Sequence, residues 1–194
     1  MKYRESLNIV NKDLQLPAIL AINSSINAEE SLSRVFEVLQ DFLDADGAFV
    51  NIFDVQKHSI VFVAHCRRNG FSSPLGSVEP PRSLRPLKIT DKVLNCSDIS
   101  EDRFTQKVLS ECLPDVKSYL MLSMDKEDRH LGVVCFYSRR YDQFNEAQRN
   151  LLKSLHDSFS VMTSNALNSV LLANNRDLIH ENDGLKDCVR ESRM

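Results

Sequence analysis

The spacing of apolar residues changes twice along the chain, and each change predicts a different kind of element. Leu14, Ile19, Leu20, Ile22 and Ile26 fall at helical spacing, with Pro17 tolerable near a first turn. Asn27 is placed to cap a second helix, which carries Leu32, Val35, Phe36, Leu39, Phe42 and Leu43 on one side and which Gly47 is placed to end. The period then falls to two. Residues 48–53 and 59–66 read as strands on either side of the polar stretch 54–58. A symmetric turn sets Asn51 opposite Val61 and Phe49 opposite Val63, with His65 further along the same face. The other face is then entirely apolar: Ala48, Val50, Ile52, Ile60, Phe62, Ala64 and Cys66. Such a sheet packs helices on its dry face and keeps a cavity over the face that bears Asn51 and His65.

Residues 67–87 hold Gly70, Gly76 and four of the six prolines, which reads as a long loop of the kind that covers a site. A short strand around 88–90 or 93–96 follows, then a helical turn across 104–113 that stops before Pro114. Residues 118–124 and 131–138 form a hairpin about the charged turn 125–130. From Asn145 the chain reads as helix almost to its end, with Leu152, Leu155, Phe159, Met162 and Ala166 as the stripe that packs on the domain. Beyond it Leu171, Leu178 and Leu185 repeat every seven residues with Asn174, Glu181 and Cys188 between them, a weak coiled-coil seam. Roughly 45 helical residues at 1.5 Å each span about 65–70 Å, more than a domain of this size needs. The expectation is a parallel homodimer through the terminal helices, with Asn174 meeting its symmetry mate and Ile22 and Ile26 buried alongside. The chain divides into an extension (1–13), a domain (14–172) and a signalling helix (173–194).

Composition narrows the function without naming it. Lys and Arg number 24 against 27 Asp and Glu, a net charge of −3, which does not suit direct nucleic-acid binding. No apolar run approaches the ~20 residues that cross a bilayer, and the N-terminus lacks the apolar core of a signal peptide. Five scattered cysteines with no C-x-x-C pair fit free thiols in a reducing cytosol, so a cytoplasmic protein is expected. No G-x-S-x-G, H-E-x-x-H or Gly-rich phosphate loop occurs. His65 and Cys66 are neighbours in a strand and point to opposite faces, which rules out a thiolate–imidazole pair. No enzymatic activity is expected.

The stretches DFLDADGAFVNIFD (41–54), VLNCSDISEDRF (93–104), SYLMLSMDKEDRHLGVVCFYS (118–138) and FNEAQRNLLKSLHDSFSVMTSNAL (144–167) occur in the order helix, strands, long loop, hairpin, helix. Together they resemble the GAF domain, a relative of the PAS sensor fold. The resemblance implies an α+β sandwich, with a central antiparallel sheet, terminal helices on one face and a loop-covered pocket on the other. Glu181–Asn182 and Leu185 are similar to the linker after the sensory domains of bacterial sigma-54-dependent transcription activators, although neither a Walker motif nor a helix-turn-helix follows. The implied function is a regulatory small-molecule sensor that controls a downstream output module absent from these residues. The rival is a ligand-free GAF module for dimerisation or protein docking.

The pocket residues implied are Asn51, His65, Arg85, Cys96, Asp98, Arg103 and Phe104. No cofactor, metal ligand or catalytic residue is assigned. Some activator sensors of this type hold non-haem iron, and Asp98, Glu101, Asp102 and Arg103 lie in the matching segment, but their plain reading is a capped turn with solvated charges. The Cys–His order of bilin-binding domains is reversed here as His65–Cys66, and the N-K-x-x-F-x-x-x-D-E pattern of cyclic-nucleotide binders is missing. Arg67, Arg68, Arg82, Arg85 and Lys88 suit either an anionic ligand or an ordinary solvated loop. Cys96 and Cys112 are candidate redox sensors only if exposed and of lowered thiol pKa.

Overall fold

The computed structural model describes residues 13–68, 75–87, 91–126 and 129–191, the side chains of 126, 129 and 177–191 excepted. After helix α1 (13–22), Asn27 accepts the N–H groups of Glu29 and Glu30 and so caps α2 (Ala28–Leu43). That helix ends at Asp44, which takes the left-handed conformation at φ 48°. Gly47 is therefore not the helix stop. It opens β1 (Gly47–Asp54) where a Cβ would lie 2.3 Å from the Tyr137 hydroxyl and 2.6 Å from the Cys66 carbonyl.

The remaining strands are β2 (Ser59–Arg67), β3 (Ser77–Val78), β4 (Val93–Cys96), β5 (Ser118–Lys126) and β6 (Arg129–Ser138). They form one antiparallel sheet in the order β3-β2-β1-β6-β5-β4, with β1 and β6 paired at its centre. The short helix α3 (Arg103–Leu109) lies between β4 and β5, and α4 (Glu146–Ser154) and α5 (His156–Glu191) close the chain. The expected α+β sandwich is the observed architecture. Of the two alternatives after the loop, Val93–Cys96 is the strand, and 88–90 lie outside the described residues.

The main core joins the helices to one sheet face. Leu32, Leu39 and Leu43 of α2 are fully buried, and Phe36 stacks on Phe136 of β6 at 6.4 Å. Phe136 in turn meets Phe159 of α5 edge-on at 6.3 Å. Side chains of this size contribute about 1.5–3 kcal/mol each on burial, so this contact among three elements fixes the helices on the sheet. The stripe Leu152, Leu155, Phe159, Met162 and Ala166 is buried as its spacing requires. It does not lie on one helix, because Leu155 leaves the helical conformation and its N–H returns to the carbonyls of Leu152 and Lys153. Asn145 and Gln148 form a reciprocal capping box at the start of α4. The Gln148 amide also donates to the Phe42 and Leu43 carbonyls, tying α4 to the end of α2.

Two bulges correct the expected strand faces. In β2, Val50 pairs with Ala64 but Asn51 pairs with Phe62, so Val63 is an extra residue. Upstream of it the alternation is reversed: Ile60 and Phe62 join Phe49 in a second core on the face away from the main helices. In β6, Met124 pairs with Gly132 but Asp125 pairs with His130, which makes Leu131 the extra residue and turns it into the main core. Gly132 sits at this kink with φ +155°, and a Cβ there would lie 2.0 Å from the Asn51 carbonyl oxygen.

The start of the outgoing helix also differs from expectation. Asn174 is buried within its own chain, and its amide donates to the Asp54 carboxylate at 3.0 Å, so it does not offer itself to a symmetry mate. Ile22 is buried too, and Ile26 lies beyond the end of α1. Leu178 and Leu185 lie outside the residues whose side chains are described.

Candidate functional site

On the face away from the main helices, α3 and the loop after β3 leave a cavity of about 340 Å³ above the sheet. Its floor comes from β1 and β6 through Phe49, Asn51, Phe53 and Val133, and from Ile60 of β2. Phe104, Val108 and Leu109 of α3 form one wall, and Pro80 and Pro86 bring the loop over it. The placement of α3 is set by Asp102, whose buried carboxylate accepts the Thr105 N–H at 3.2 Å and the Tyr119 hydroxyl. Tyr119 is fully buried, and burial together with the neighbouring Asp102 carboxylate pushes its phenol well above the usual range. This pair is a structural strut: it joins the helix wall to β5 and keeps a neutral phenol in the core.

Three polar groups reach the cavity: Asn51, Thr105 and His130. His130 is oriented from outside. Its Nδ1 lies 3.0 Å from an Asp125 oxygen and 3.3 Å from the Ser123 hydroxyl, which leaves Nε2 free of both contacts. The Asn51 amide makes no hydrogen bond to a described side chain. No Asp, Glu, Lys or Arg among the described residues lines the cavity.

The seven pocket residues expected from sequence are distributed over several places. Asn51 and Phe104 line the cavity. His65 is on the same sheet face but is buried under Tyr137, with Nε2 3.0 Å from the phenol oxygen and the rings stacked at 6.2 Å. Cys96 is in the second core and donates its S–H to the Asp98 carbonyl at 3.1 Å. Asp98 accepts the Ser100 N–H at 2.9 Å, which with further bonding to Ser100 holds its carboxyl below the usual range. With Arg103, it borders a separate cleft of about 400 Å³ on the outer side of α3. Arg85 is exposed and lines neither. Of the other loop cations, Arg68 is held in ion pairs with Asp41 and Asp44.

His130, Val108, Pro80 and Pro86 line the cavity without being expected there. In sequence His130 reads as a turn residue, because plain alternation back from Val133 gives it no place on the cavity face. Gly132 is the available signal, since a glycine inside a strand marks a bulge or a close approach.

The cysteine chemistry is also settled by surroundings. Burial pushes the Cys66 thiol up to about 12, and it raises Cys96, Cys112 and Cys135 in the same direction. The thiolate is the reactive form, so these four are poor nucleophiles at neutral pH. His65 and Cys66 face opposite sides of the sheet as their adjacency requires. Among the described residues, no three His, Cys, Asp or Glu side chains converge as a metal ion needs. Likewise no described helix is long and apolar enough to cross a membrane.

Several solved structures share this arrangement. The GAF domain of an Acinetobacter phosphoenolpyruvate-protein phosphotransferase matches with a TM-score of 0.60 at 17% identity, covering 81% of this chain and 94% of that one. The free methionine-R-sulfoxide reductase of Neisseria meningitidis, in complex with its substrate, matches at 0.59 and 11% identity, covering 82% and 91%. A phycocyanobilin-bound GAF domain from a cyanobacterial phytochrome matches at 0.59 and 16% identity, covering 80% and 94%. At these identities the likeness is one of fold, and the fold serves both a chromophore-bound domain and an enzyme. Among curated proteins none matches closely enough to count as a relative. The family model of the GAF domain does match, over residues 27–161, which takes in α2, the whole sheet, α3 and the first turns of α5, and by this measure the chain belongs to the GAF domain family.

Proposed function

We propose that this chain is a regulatory sensory domain in which a small molecule held between α3 and the sheet biases the packing of α5. The cavity carries this reading: about 340 Å³, apolar, and set on the sheet face that the main helices leave free. Its wall continues into the output element. Asn51 and Phe53 line it, and the next residue, Asp54, is hydrogen-bonded to Asn174 of α5. A ligand shifts such a system only by its different affinity for two packings. The resemblance of 181–185 to sigma-54 activator linkers makes a bacterial, cytoplasmic transcription activator the proposed output class.

The test is native mass spectrometry of freshly purified protein, searched for a retained small molecule, alongside the variant Val108→Trp, which fills the cavity. A small-molecule adduct in the natural protein that is absent from the variant supports the reading. An adduct retained in Val108→Trp, or none in either after incubation with cell extract, refutes it.

A second observation supports dimerisation whether or not the cavity is filled. Leu20, Ile26, Val161 and Leu172 expose large apolar surface on the helical side, Ile26 at 79% and Leu20 at 63%. A second copy of the chain buries this stripe. Sedimentation equilibrium at tens of micromolar should give a dimer, and Val161→Asp with Leu172→Asp should give a monomer; a monomeric natural protein refutes the pairing. No catalytic role is proposed, since burial raises the thiols of Cys66, Cys96, Cys112 and Cys135.

A further inference from the structure

The geometry points to an uncharged, planar aromatic ligand that carries a hydrogen-bond donor and an acceptor side by side, as a lactam or cyclic amide does. This inference rests on the cavity being the sensory site and goes on to its chemistry.

Three observations restrict the ligand. The first is charge. No carboxylate, ammonium or guanidinium among the described residues lines the cavity, and the one ionisable group there, His130, already faces Asp125. A charged ligand would leave water without a counter-charge, a cost that a neutral one avoids. The anionic ligand suggested by the loop arginines has no support in this placement, because Arg68 is paired elsewhere and Arg85 lines neither concavity.

The second is shape. Phe53 and Phe104 line the floor and the α3 wall, Phe49 lies fully buried beneath them, and Pro80 and Pro86 lie above. Aromatic rings gain most from flat partners that stack or meet them edge-on. At about 340 Å³ the cavity is at the small end of ligand pockets, which fits a body of two fused rings rather than an extended chain.

The third is the polar anchor. A primary amide offers a donor and an acceptor on one plane, and the Asn51 amide spends neither on a described side chain. The matching group is another cis amide, which engages both at once. A ligand with only one of the two leaves the other unpaired in apolar surroundings. The Nε2 of His130 supplies a further hydrogen bond at the cavity edge.

Three test ligands of similar size separate these points: 2-quinolone, naphthalene and quinoline-2-carboxylate. The chain has no tryptophan, so the fluorescence of all three is read against a low background. Titration into the full chain should show saturable binding of 2-quinolone that Val108→Trp abolishes, the variant being read by isothermal titration calorimetry because it carries a tryptophan. Naphthalene should bind about tenfold more weakly, and the carboxylate more weakly still. Asn51→Leu should cost 2-quinolone about tenfold and leave naphthalene unchanged or slightly improved. If that variant melts early, Asn51→Ala at a lower temperature serves the same comparison. Tighter binding of the carboxylate, or equal loss of both neutral ligands in the Asn51 variants, overturns the inference and leaves the sensory reading standing. Failure of 2-quinolone to bind also overturns it. Whether the sensory reading falls as well is decided separately by the retained-ligand spectra, which assume no ligand class.

Discussion

Replacing Asn174 by Ala should loosen the outgoing helix without unfolding the domain. Asn174 donates to one oxygen of the buried Asp54 carboxylate at 3.0 Å, and the other oxygen accepts the N–H groups of Gln56 and Lys57 at 3.0 and 3.2 Å. Burial works to raise the Asp54 carboxyl, but the bonds from Asn174, Lys57 and Gln56 outweigh it and hold the carboxyl below its usual value. The carboxylate is therefore ionised at neutral pH, and the bond lost in the variant is a charge-assisted one. Such bonds contribute about 1.5–3 kcal/mol, so about 2 kcal/mol is expected here. The loss falls on local opening of α5, because α2, the sheet and Phe159 keep their contacts. About 2 kcal/mol corresponds to roughly 30-fold faster amide exchange in that segment. Hydrogen exchange read by mass spectrometry should show this acceleration in a peptide spanning 168–182 and no change in one spanning 28–43. Exchange of 168–182 within about twofold of the natural protein would show that the bond does not hold the helix. Asn174→Asp provides a sign check. It sets two carboxylates about 3 Å apart, so its helix should be looser at pH 7 and tighten as acid supplies one shared proton.

Three further outcomes follow from the geometry. Asp44 is held below its usual pKa by hydrogen bonding to Arg140 with Arg68 assisting, and Asp91 by Lys153. With Asp54 they bind protons more weakly folded than unfolded, so urea stability should be full above about pH 5 and fall as pH drops below about 4; a stability that rises with acid contradicts these assignments. Gly132→Ala should cost at least about 3 kcal/mol, read as a lowered urea midpoint, because the new Cβ meets the backbone of Asn51 rather than a movable side chain. Iodoacetamide at about pH 7.5 should modify Cys112 before Cys66, Cys96 or Cys135, since Cys112 is only half-buried; prompt modification of Cys66 would contradict a thiol pushed up to about 12.

Much of the fold is legible in the sequence because its signals are local. Asn27 and Asn145 cap helices through their own side chains, and the stripe from Leu152 to Ala166 records which side of the closing helices meets the sheet. The hairpins show as period-two runs. The cavity is only half legible for the same reason. Counting along the chain places Asn51 and Phe104, but His130 and Ile60 reach the cavity face only after a bulge, and a bulge is decided by pairing with another strand. The role of Asn174 escapes a sequence reading because heptad spacing describes what a residue offers to a second helix. Its actual partner, Asp54, is 120 positions away in the same chain. Arg85, Asp98 and Arg103 are polar residues near the right segments, and sequence does not show whether such loop and helix-end residues turn toward the cavity or away from it.

The two extra residues, Val63 and Leu131, have a consequence for how this site can change. Each is the residue that a bulge takes up, so deleting it restores plain alternation and leaves the neighbouring side chains on the faces they now hold. Without Val63, Phe62 directly precedes Ala64 and keeps its pairing with Asn51, so Ile60 and Phe62 stay in the second core. Without Leu131, His130 directly precedes Gly132 and keeps its pairing with Asp125, so it stays on the cavity face while the main core loses the Leu131 side chain. The lining is therefore insulated from the loss of a codon at these two positions, which act as slack in β2 and β6. Any comparison of this chain with a variant one residue shorter in β2 or β6 should align inward-facing positions before it aligns letters.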